Sequence, residues 1–474
     1  MKLTVAPSSS WILPAQLKKV KRFVSIEASA SNEFSNGSRP LVHKNASTDM
    51  AFFQPERSVS AYVHLPFCRK RCLYCDFPIV ALGSASRTDA DHRIESYVEL
   101  IRREIDSIKP SRYPPQPLET VFFGGGTPSL VSPRMVSSIL ETLQRKFGLS
   151  ETAEISMEMD PGTFDSKKLR DFIGLGINRV SLGVQAFQEE LLRACGRAHG
   201  LNEVYEAIDI VGSCGVENWS LDLISSLPHQ TTEMWEESLR ITAEHAQPKH
   251  VSVYDLQVEQ GTKFEILYTP GEFPLPSESQ SADFYKMASS ILSGANYNHY
   301  EISSYCKDGF ECKHNYSYWS MKQFYGFGLG AASYLNGVRF SRPRKMKDYT
   351  LYVASLESEE DEGDDQAANV ESKDLAMELV MLSLRTSRGL DVRSFRKQFG
   401  DSLVYSILNL YKPFVESGHV MFLDQDRIAM SPDDLTELEE GSMGSDLAFL
   451  RLSDPDGFLL SNELISRVFE ILSP

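Results

Sequence analysis

No apolar stretch in the 474-residue chain reaches about 18 consecutive residues, so no transmembrane helix is expected. Cysteine is scarce, with seven in the whole chain. That is too few for a disulfide-stapled scaffold, and the odd number leaves one unpaired, which points to a reduced compartment. Basic residues are outnumbered, 48 Lys and Arg against 65 Asp and Glu, for a formal net charge of −17. A field of that sign repels phosphate backbones, so nucleic acid is not expected as a partner. The remaining composition, 42% hydrophobic and 24% charged, is that of an ordinary globular protein and excludes a fibrous or wholly disordered one. At roughly 150 residues per domain, the length allows about three domains and a large core.

Residues 1–47 stand apart. Seven basic residues, among them Lys18, Lys19, Lys21 and Arg22, face only Glu27 and Glu33, with nine serines interspersed. Basic, Ser-rich and acidic-poor is the composition of an organelle transit peptide, with a merely disordered arm as the alternative. The run Ser8-Ser9-Ser10 and the lack of an early arginine favour a chloroplast over a mitochondrion.

Beyond residue 52 one unit recurs: a short β-branched or aromatic run, then a segment of helical periodicity. Strands are expected at 61–65, 120–123, 154–158, 179–183, 220–224 and 250–255. Helices are expected at 94–108, 133–147, 167–175, 189–195, 201–214 and 232–245. Alternating β and α units build a parallel sheet, whose chemistry gathers at the carboxyl ends of the strands. Those ends carry a cysteine loop, Gly124-Gly125-Gly126-Thr127-Pro128, Glu158 with Asp160-Pro161-Gly162, Gln185 and Asp222. The acidic run 357–365 reads as a solvated linker. After it come helices at 375–384, 392–399 and 403–417 and a β-ribbon from 420–422 with 427–430, a small α+β, winged-helix-like domain.

Cys68, Cys72 and Cys75 have C-x3-C-x2-C spacing. Three thiolates are one short of a closed zinc site, and soft sulfur ligands in a short loop also suit an iron–sulfur cluster with one iron left open. The neighbouring Arg69-Lys70-Arg71 would favour thiolate over thiol. Zinc completed by a distant His or Cys, or unligated buried thiols, remain open on spacing alone. Gly124, Gly125 and Gly126, lacking Cβ atoms, allow close backbone approach to a ligand or mark a tight turn.

The loop together with the GGGTP run, Arg179-Val180-Ser181-Leu182-Gly183-Val184-Gln185, Asp222-Leu223-Ile224 and Cys312-Lys313-His314-Asn315-Tyr316-Ser317-Tyr318-Trp319 resembles the radical S-adenosylmethionine superfamily, in its coproporphyrinogen oxidase/HemW branch. The resemblance runs from about residue 60 to 428 and returns near 456–465. It implies an α/β fold, a partial (β/α)6 TIM-like barrel, with residues 51–270 as the core, 271–356 as an extension holding the HNxxYW motif, 357–374 as linker and 375–474 as the C-terminal domain, while residues 1–50 are the segment read from composition as targeting or disordered.

It further implies a [4Fe-4S] cluster on Cys68, Cys72 and Cys75, and S-adenosylmethionine bound at its open iron. Tyr62, Tyr74, Gly124, Gly125, Gly126, Thr127, Glu158, Gln185, Arg197 and Asp222 are the residues it places around that cofactor. Tyr62 or Tyr74 could simply be core, and each of the polar residues, Arg197 and Asp222 in particular, could instead belong to a structural ion pair inside the barrel rim. Cys195, Cys214, Cys306 and Cys312 lack cluster spacing and read as ordinary buried thiols.

Two functions compete within the branch: a heme chaperone, and an oxygen-independent coproporphyrinogen III oxidase that decarboxylates propionates. Oxidases of the branch carry a further cysteine two residues after the third, where Phe77 stands here, and a folded N-terminal arm where this chain has a targeting segment. Both departures favour the chaperone. It would bind heme or a porphyrin through His314 and the aromatic residues of HNxxYW, with a heme-acceptor protein and an electron donor as partners. A form that holds cluster and cofactor without radical chemistry is a third possibility.

Overall fold

The computed structural model describes residues 59–83, 91–109, 116–358, 372–430 and 447–472. The expected targeting segment lies outside them. The parallel sheet begins with β1 (Val59–Leu65), followed in the cysteine loop by the two-residue strands β2 (Phe67–Cys68) and β3 (Val80–Ala81). It continues with β4 (Leu118–Gly125), β5 (Leu149–Met159), β6 (Arg179–Gln185), β7 (Trp219–Ser225) and β8 (His250–Asp255). These six β/α units lie side by side in chain order, as the sequence reading expects. Ala61, Val63 and Leu65 of β1 are fully buried, and so are Val121 and Phe123 of β4. Near-continuous apolar runs of this kind are what central parallel strands need, with side chains covered on both faces.

The helices are set by local signals. Asp165 and Thr231 cap theirs by accepting from Lys168 N and Met234 N. Pro133 opens the helix Pro133–Phe147, and Gly148, at φ 77°, ends it. The helix expected at 232–245 departs from regular geometry: it runs α-helically over Thr232–Arg240 and then widens into a π-helical turn, Ile241–Ala246, stopped by Gln247 at φ 48°. Among the described residues no helix is long and apolar enough to cross a membrane.

Among the described residues, strands that periodicity did not reveal extend the sheet to eleven. At one side β9 (Asn298–Glu301) and β10 (Ser304–Cys306) add antiparallel to β8. At the other, β11 (Gln323–Phe327) pairs parallel with β1 and carries the antiparallel hairpin β12 (Ala332–Leu335) and β13 (Val338–Ser341). A buried ion pair, Arg342 Nε to Glu104 Oε1 at 2.7 Å, fastens this hairpin to the helix His92–Asp106, and Tyr349 donates to the same carboxylate at 2.7 Å.

The C-terminal part is α+β: helices Ser372–Ser383, Val392–Phe399 and Asp401–Glu416 with a three-stranded sheet of β14 (Leu390–Asp391), β15 (Val420–Leu423) and β16 (Phe449–Leu452). The expected ribbon is present: Asp424 N donates to Ile428 O at 3.0 Å, Met430 N donates to Phe422 O at 2.9 Å, and Leu423 bridges Ala429. β15 also pairs antiparallel with β16, a partner the sequence did not reveal. Arg427, at φ 64° with its N–H donating to Asp424 O at 3.1 Å, closes the turn of the ribbon. Glu357 belongs to the helix Met346–Ser358 and pairs with Arg103, so the first residues of the acidic run are helical; 359–371 lie outside the described residues. One core fills the sheet and its helices, and a second joins Tyr318, Trp319 and Phe324 to Phe395, Tyr411 and Phe422 of the C-terminal part.

Candidate cofactor pocket at the carboxyl ends of the strands

β1 and β4 end in register, Leu65 opposite Gly125, so the cysteine loop and the glycine run leave the sheet side by side. Val80 N donates to Pro66 O at 2.7 Å and Leu82 N to Cys68 O at 2.8 Å, closing the loop at its base. Its tip is held by Leu73 N to Cys195 O at 3.0 Å and Phe264 N to Leu73 O at 3.1 Å. The Arg71 guanidinium donates to the carbonyls of Cys75 and Phe77 at 3.1 and 2.9 Å and ties the returning strand. Cys68, Cys72 and Cys75 are free thiols, partly exposed, and all three line one pocket.

Arg71 acts to lower Cys75, as the basic trio suggests, but burial outweighs it and pushes Cys75 up to about 11; burial also pushes Cys68 up to about 12. Arg69 is spent on Asp160 and Pro161 O, Arg71 on loop carbonyls, and Lys70 is exposed. Deprotonation therefore falls to whatever metal binds there.

The pocket is an open cavity of about 1370 Å³ including its mouth. Tyr74, Gly125, Gly126, Thr127, Glu158, Gln185, Arg197 and Asp222 line it along with the three cysteines. Thr127 Oγ1 donates to Cys68 Sγ at 3.6 Å. Gly125 N donates to Glu158 Oε2 at 2.9 Å. A Cβ on Gly125, whose φ is 115°, would stand 2.5 Å from the His64 ring, and one on Gly126 would stand 2.6 Å from Pro66 C. The glycine run is thus required to pass under the chain's own cysteine loop, whatever it also does for a ligand. At the end of β6, a register shift between Gly183 and Gln185 and a φ of 73° at Gln185 turn that residue to the pocket. Asp222 accepts from Ser181 Oγ at 2.8 Å and Ser220 Oγ at 3.1 Å, and burial raises its carboxyl.

Arg197 is the hub. It donates to Asp160, to Tyr74 Oη at 3.0 Å, to Cys72 Sγ at 3.5 Å and to Gly183 O at 3.2 Å. Burial alone would raise the Asp160 carboxyl, but Arg197, with His199 and Arg69 beside it, holds it down at about 2. The structural ion pair that the sequence left open for Arg197 is present, and its partner is Asp160, a rim residue that sequence reading noted without a role. Asp255, at the end of β8, was also missed. It lines the pocket, accepts from Ser226, Ser225 and Gln257, and burial pushes it up to about 6. A carboxylate closing a barrel strand was the signal available for it.

Three expected site residues lie off the pocket wall. Tyr62 is buried beneath it, its hydroxyl 3.1 Å from His64 Nδ1, and Gly124 packs on Tyr62 and Glu158. His314, on the helix Lys313–Trp319, is 1% exposed. Its Nδ1 is 2.6 Å from Thr120 Oγ1, its Nε2 is 2.7 Å from Tyr318 Oη, and its ring stacks on Phe122. In this conformation both ring nitrogens are taken, and burial pushes the imidazole down to about 3. Cys195, Cys306 and Cys312 are buried as expected, while Cys214 is partly exposed.

The donor set suits a cubane. Cys68, Cys72 and Cys75 are free thiols lining one pocket, three soft sulfur donors of the kind that hold an iron–sulfur cluster. Arg197 Nε is buried without a partner beside this set, a donor suited to a carboxylate.

Residues 62–241 match the model of the Radical SAM superfamily. The chain is 39% identical over 414 residues to the heme chaperone HemW of Synechocystis sp., covering 87% of this chain and 97% of that protein. It is 27% identical over 387 residues to the mitochondrial radical S-adenosyl methionine domain-containing protein 1 of Danio rerio, covering 80% and 83%. The solved structure of coproporphyrinogen III oxidase (HemN) from Escherichia coli, a radical SAM enzyme, superposes with a TM-score of 0.67 at 21% identity, covering 87% of this chain and 90% of that one, and shares its fold.

Proposed function

The chain belongs to the HemW family of radical SAM proteins, and from that premise we propose that it is a heme chaperone, which binds heme and hands it to an acceptor protein. The observation that carries this reading is the 39% identity that spans 97% of a cyanobacterial heme chaperone. Phe77, lining the pocket where the oxidase branch has its further cysteine, supports it against decarboxylation chemistry.

Cys68, Cys72 and Cys75 would hold the [4Fe-4S] cluster of the family, with Thr127 and Arg197 donating to two of the sulfurs. Together with S-adenosylmethionine, such a cluster supplies one-electron cleavage of a sulfonium. The chain's own residues prepare the pocket for it. Arg197, fixed by Asp160, presents positive charge to a carboxylate, while Glu158 and Asp222 offer acceptors to an amine and to hydroxyls. Gln185 is held toward the same space by its strained backbone.

His314 would ligate heme iron only after its bonds to Thr120 and Tyr318 break, so heme ligation there includes a movement of the helix Lys313–Trp319. An anaerobic hemin titration of wild type and His314→Ala tests this. The Soret band should saturate at one heme per chain in wild type, and both shift and weaken in the variant. A variant with an unchanged band removes His314 as the ligand. A wild type that binds no heme but turns over coproporphyrinogen III removes the chaperone.

For residues 1–50 we infer an organelle-targeting role, the chloroplast being the destination their composition favours. A reporter fused to these residues should enter an organelle; a cytosolic reporter refutes the role, and a mitochondrial one corrects the destination.

A further inference from the structure

With His314 turned inward, the HNxxYW helix shows a different residue to solvent. Tyr316 is half-buried, and the Arg388 guanidinium lies over its ring, 4.1 Å from the centroid. Two more arginines converge on the turn that presents Arg388. Arg427 donates to Arg388 O at 3.1 Å while covering Phe449 at 4.2 Å. Arg451 donates to Ser387 O at 3.3 Å and to Met421 Sδ at 3.5 Å, and its Nε is buried without a partner.

The grouping runs against the character of the chain. Acidic side chains outnumber basic ones 65 to 48, yet no ion pair to a carboxylate is found for Arg388, Arg427 or Arg451 among the described residues. Like charges brought together repel, and burial lowers Arg451 although nearby Asp454 acts to raise it. Arg427 also holds a left-handed backbone, φ 64°, which a branched or bulky residue adopts only at a cost. Arg427 and Arg451 each commit only one or two of their five N–H groups to backbone or sulfur and keep the others for an anion. Arginine's planar fork matches a carboxylate bidentately, and the adjoining Tyr316 and Phe449 are flat and apolar.

We propose that Arg388, Arg427 and Arg451 anchor the propionate carboxylates of a porphyrin whose edge rests on Tyr316, at the outer side of the HNxxYW helix. This inference rests on the heme reading and gives it a docking point that requires no rearrangement of His314. It places the first contact on the negatively charged edge of the ligand, before any bond to iron forms.

The experiment titrates the full-length protein with hemin and with hemin dimethyl ester, in which both propionates are uncharged, for wild type and for Arg388→Gln/Arg427→Gln. Wild type should bind hemin more tightly than the ester. The double variant should lose roughly tenfold in hemin affinity per arginine while binding the ester as wild type does. Arg388→Lys, which keeps the charge but not the fork, should fall between. Cluster iron content reports whether the variants fold. Equal hemin affinity in wild type and double variant overturns the proposal and leaves the heme reading standing. So does an equal loss for hemin and ester, which marks a fold effect. A wild type that binds neither ligand overturns both.

Discussion

Asp160→Asn should be among the most disruptive isosteric changes in the molecule, because it removes the counter-charge of a buried cation. The side chains of Arg197 and Asp160 are 11% and 16% exposed, and Arg69 and His199 approach the same carboxylate at 3.4 Å. Breaking a buried pair from one side leaves an uncompensated charge, at a cost of about 3–5 kcal/mol. The loss should be measured by urea unfolding of the cluster-free protein, so that cluster release does not enter the free energy. Arg197→Met should cost a similar amount. The double variant should cost less than the sum of the singles by on the order of 2 kcal/mol, since the second change removes an already orphaned group. The pH sign follows from the depressed carboxyl. The contribution of Asp160 is complete above the ordinary value of 3.8 and is lost as pH falls through about 2, so the full effect is present at pH 5–8. A single-variant loss below about 1 kcal/mol, or strict additivity, would refute the hub role given to this pair.

Gly125→Ala and Gly126→Ala should each prevent stable cluster reconstitution, because the new methyl group meets the His64 ring or the Pro66 backbone; iron and sulfide analysis at wild-type levels would contradict this. His64, His250 and His314 are buried and neutral, with imidazoles held below the ordinary 6.5 chiefly by burial. The stability they contribute is complete above that value and is lost as pH falls below it, by about 1.4 kcal/mol per pH unit for each histidine. Stability that is flat from pH 7 to 5 would count against their neutral burial. Asp255 has the opposite sign: its carboxyl is raised to about 6, so ionising it costs stability as pH rises from 4 toward 7. Asp255→Asn should lose that cost, seen as a gain relative to wild type that grows with pH over this window; a difference independent of pH would show the group ionises freely.

The β/α order was legible because each of the six strands is a short run covered on both faces, and because capping residues such as Asp165 and Thr231 mark where helices begin. The rim residues were legible through motifs that sit at strand ends, and most of them do line one pocket. What escaped depends on distant partners. Gln323–Phe327 is a five-residue aromatic run whose identity as a parallel strand comes from β1, some 260 residues earlier. The ribbon of β15 with 427–430 is local and was legible, whereas the pairing of β15 with β16 joins strands that are not neighbours in the chain. The thiolate character expected from the basic trio is outweighed by burial at Cys68 and Cys75. Neighbours in sequence, Arg69 and Arg71, direct their guanidiniums at backbone carbonyls and Asp160, and burial decides the outcome. His314 shows the limit of motif reasoning. The residue type suits a heme ligand, but the fold closes Thr120 and Tyr318 around both of its nitrogens.

The most direct test of the heme-chaperone reading is native mass spectrometry of the cluster-reconstituted chain mixed anaerobically with one equivalent of hemin. The account predicts one population carrying both a [4Fe-4S] cluster and a single heme. A chain that retains its cluster, acquires no heme and decarboxylates coproporphyrinogen III in the presence of S-adenosylmethionine and reductant would contradict it.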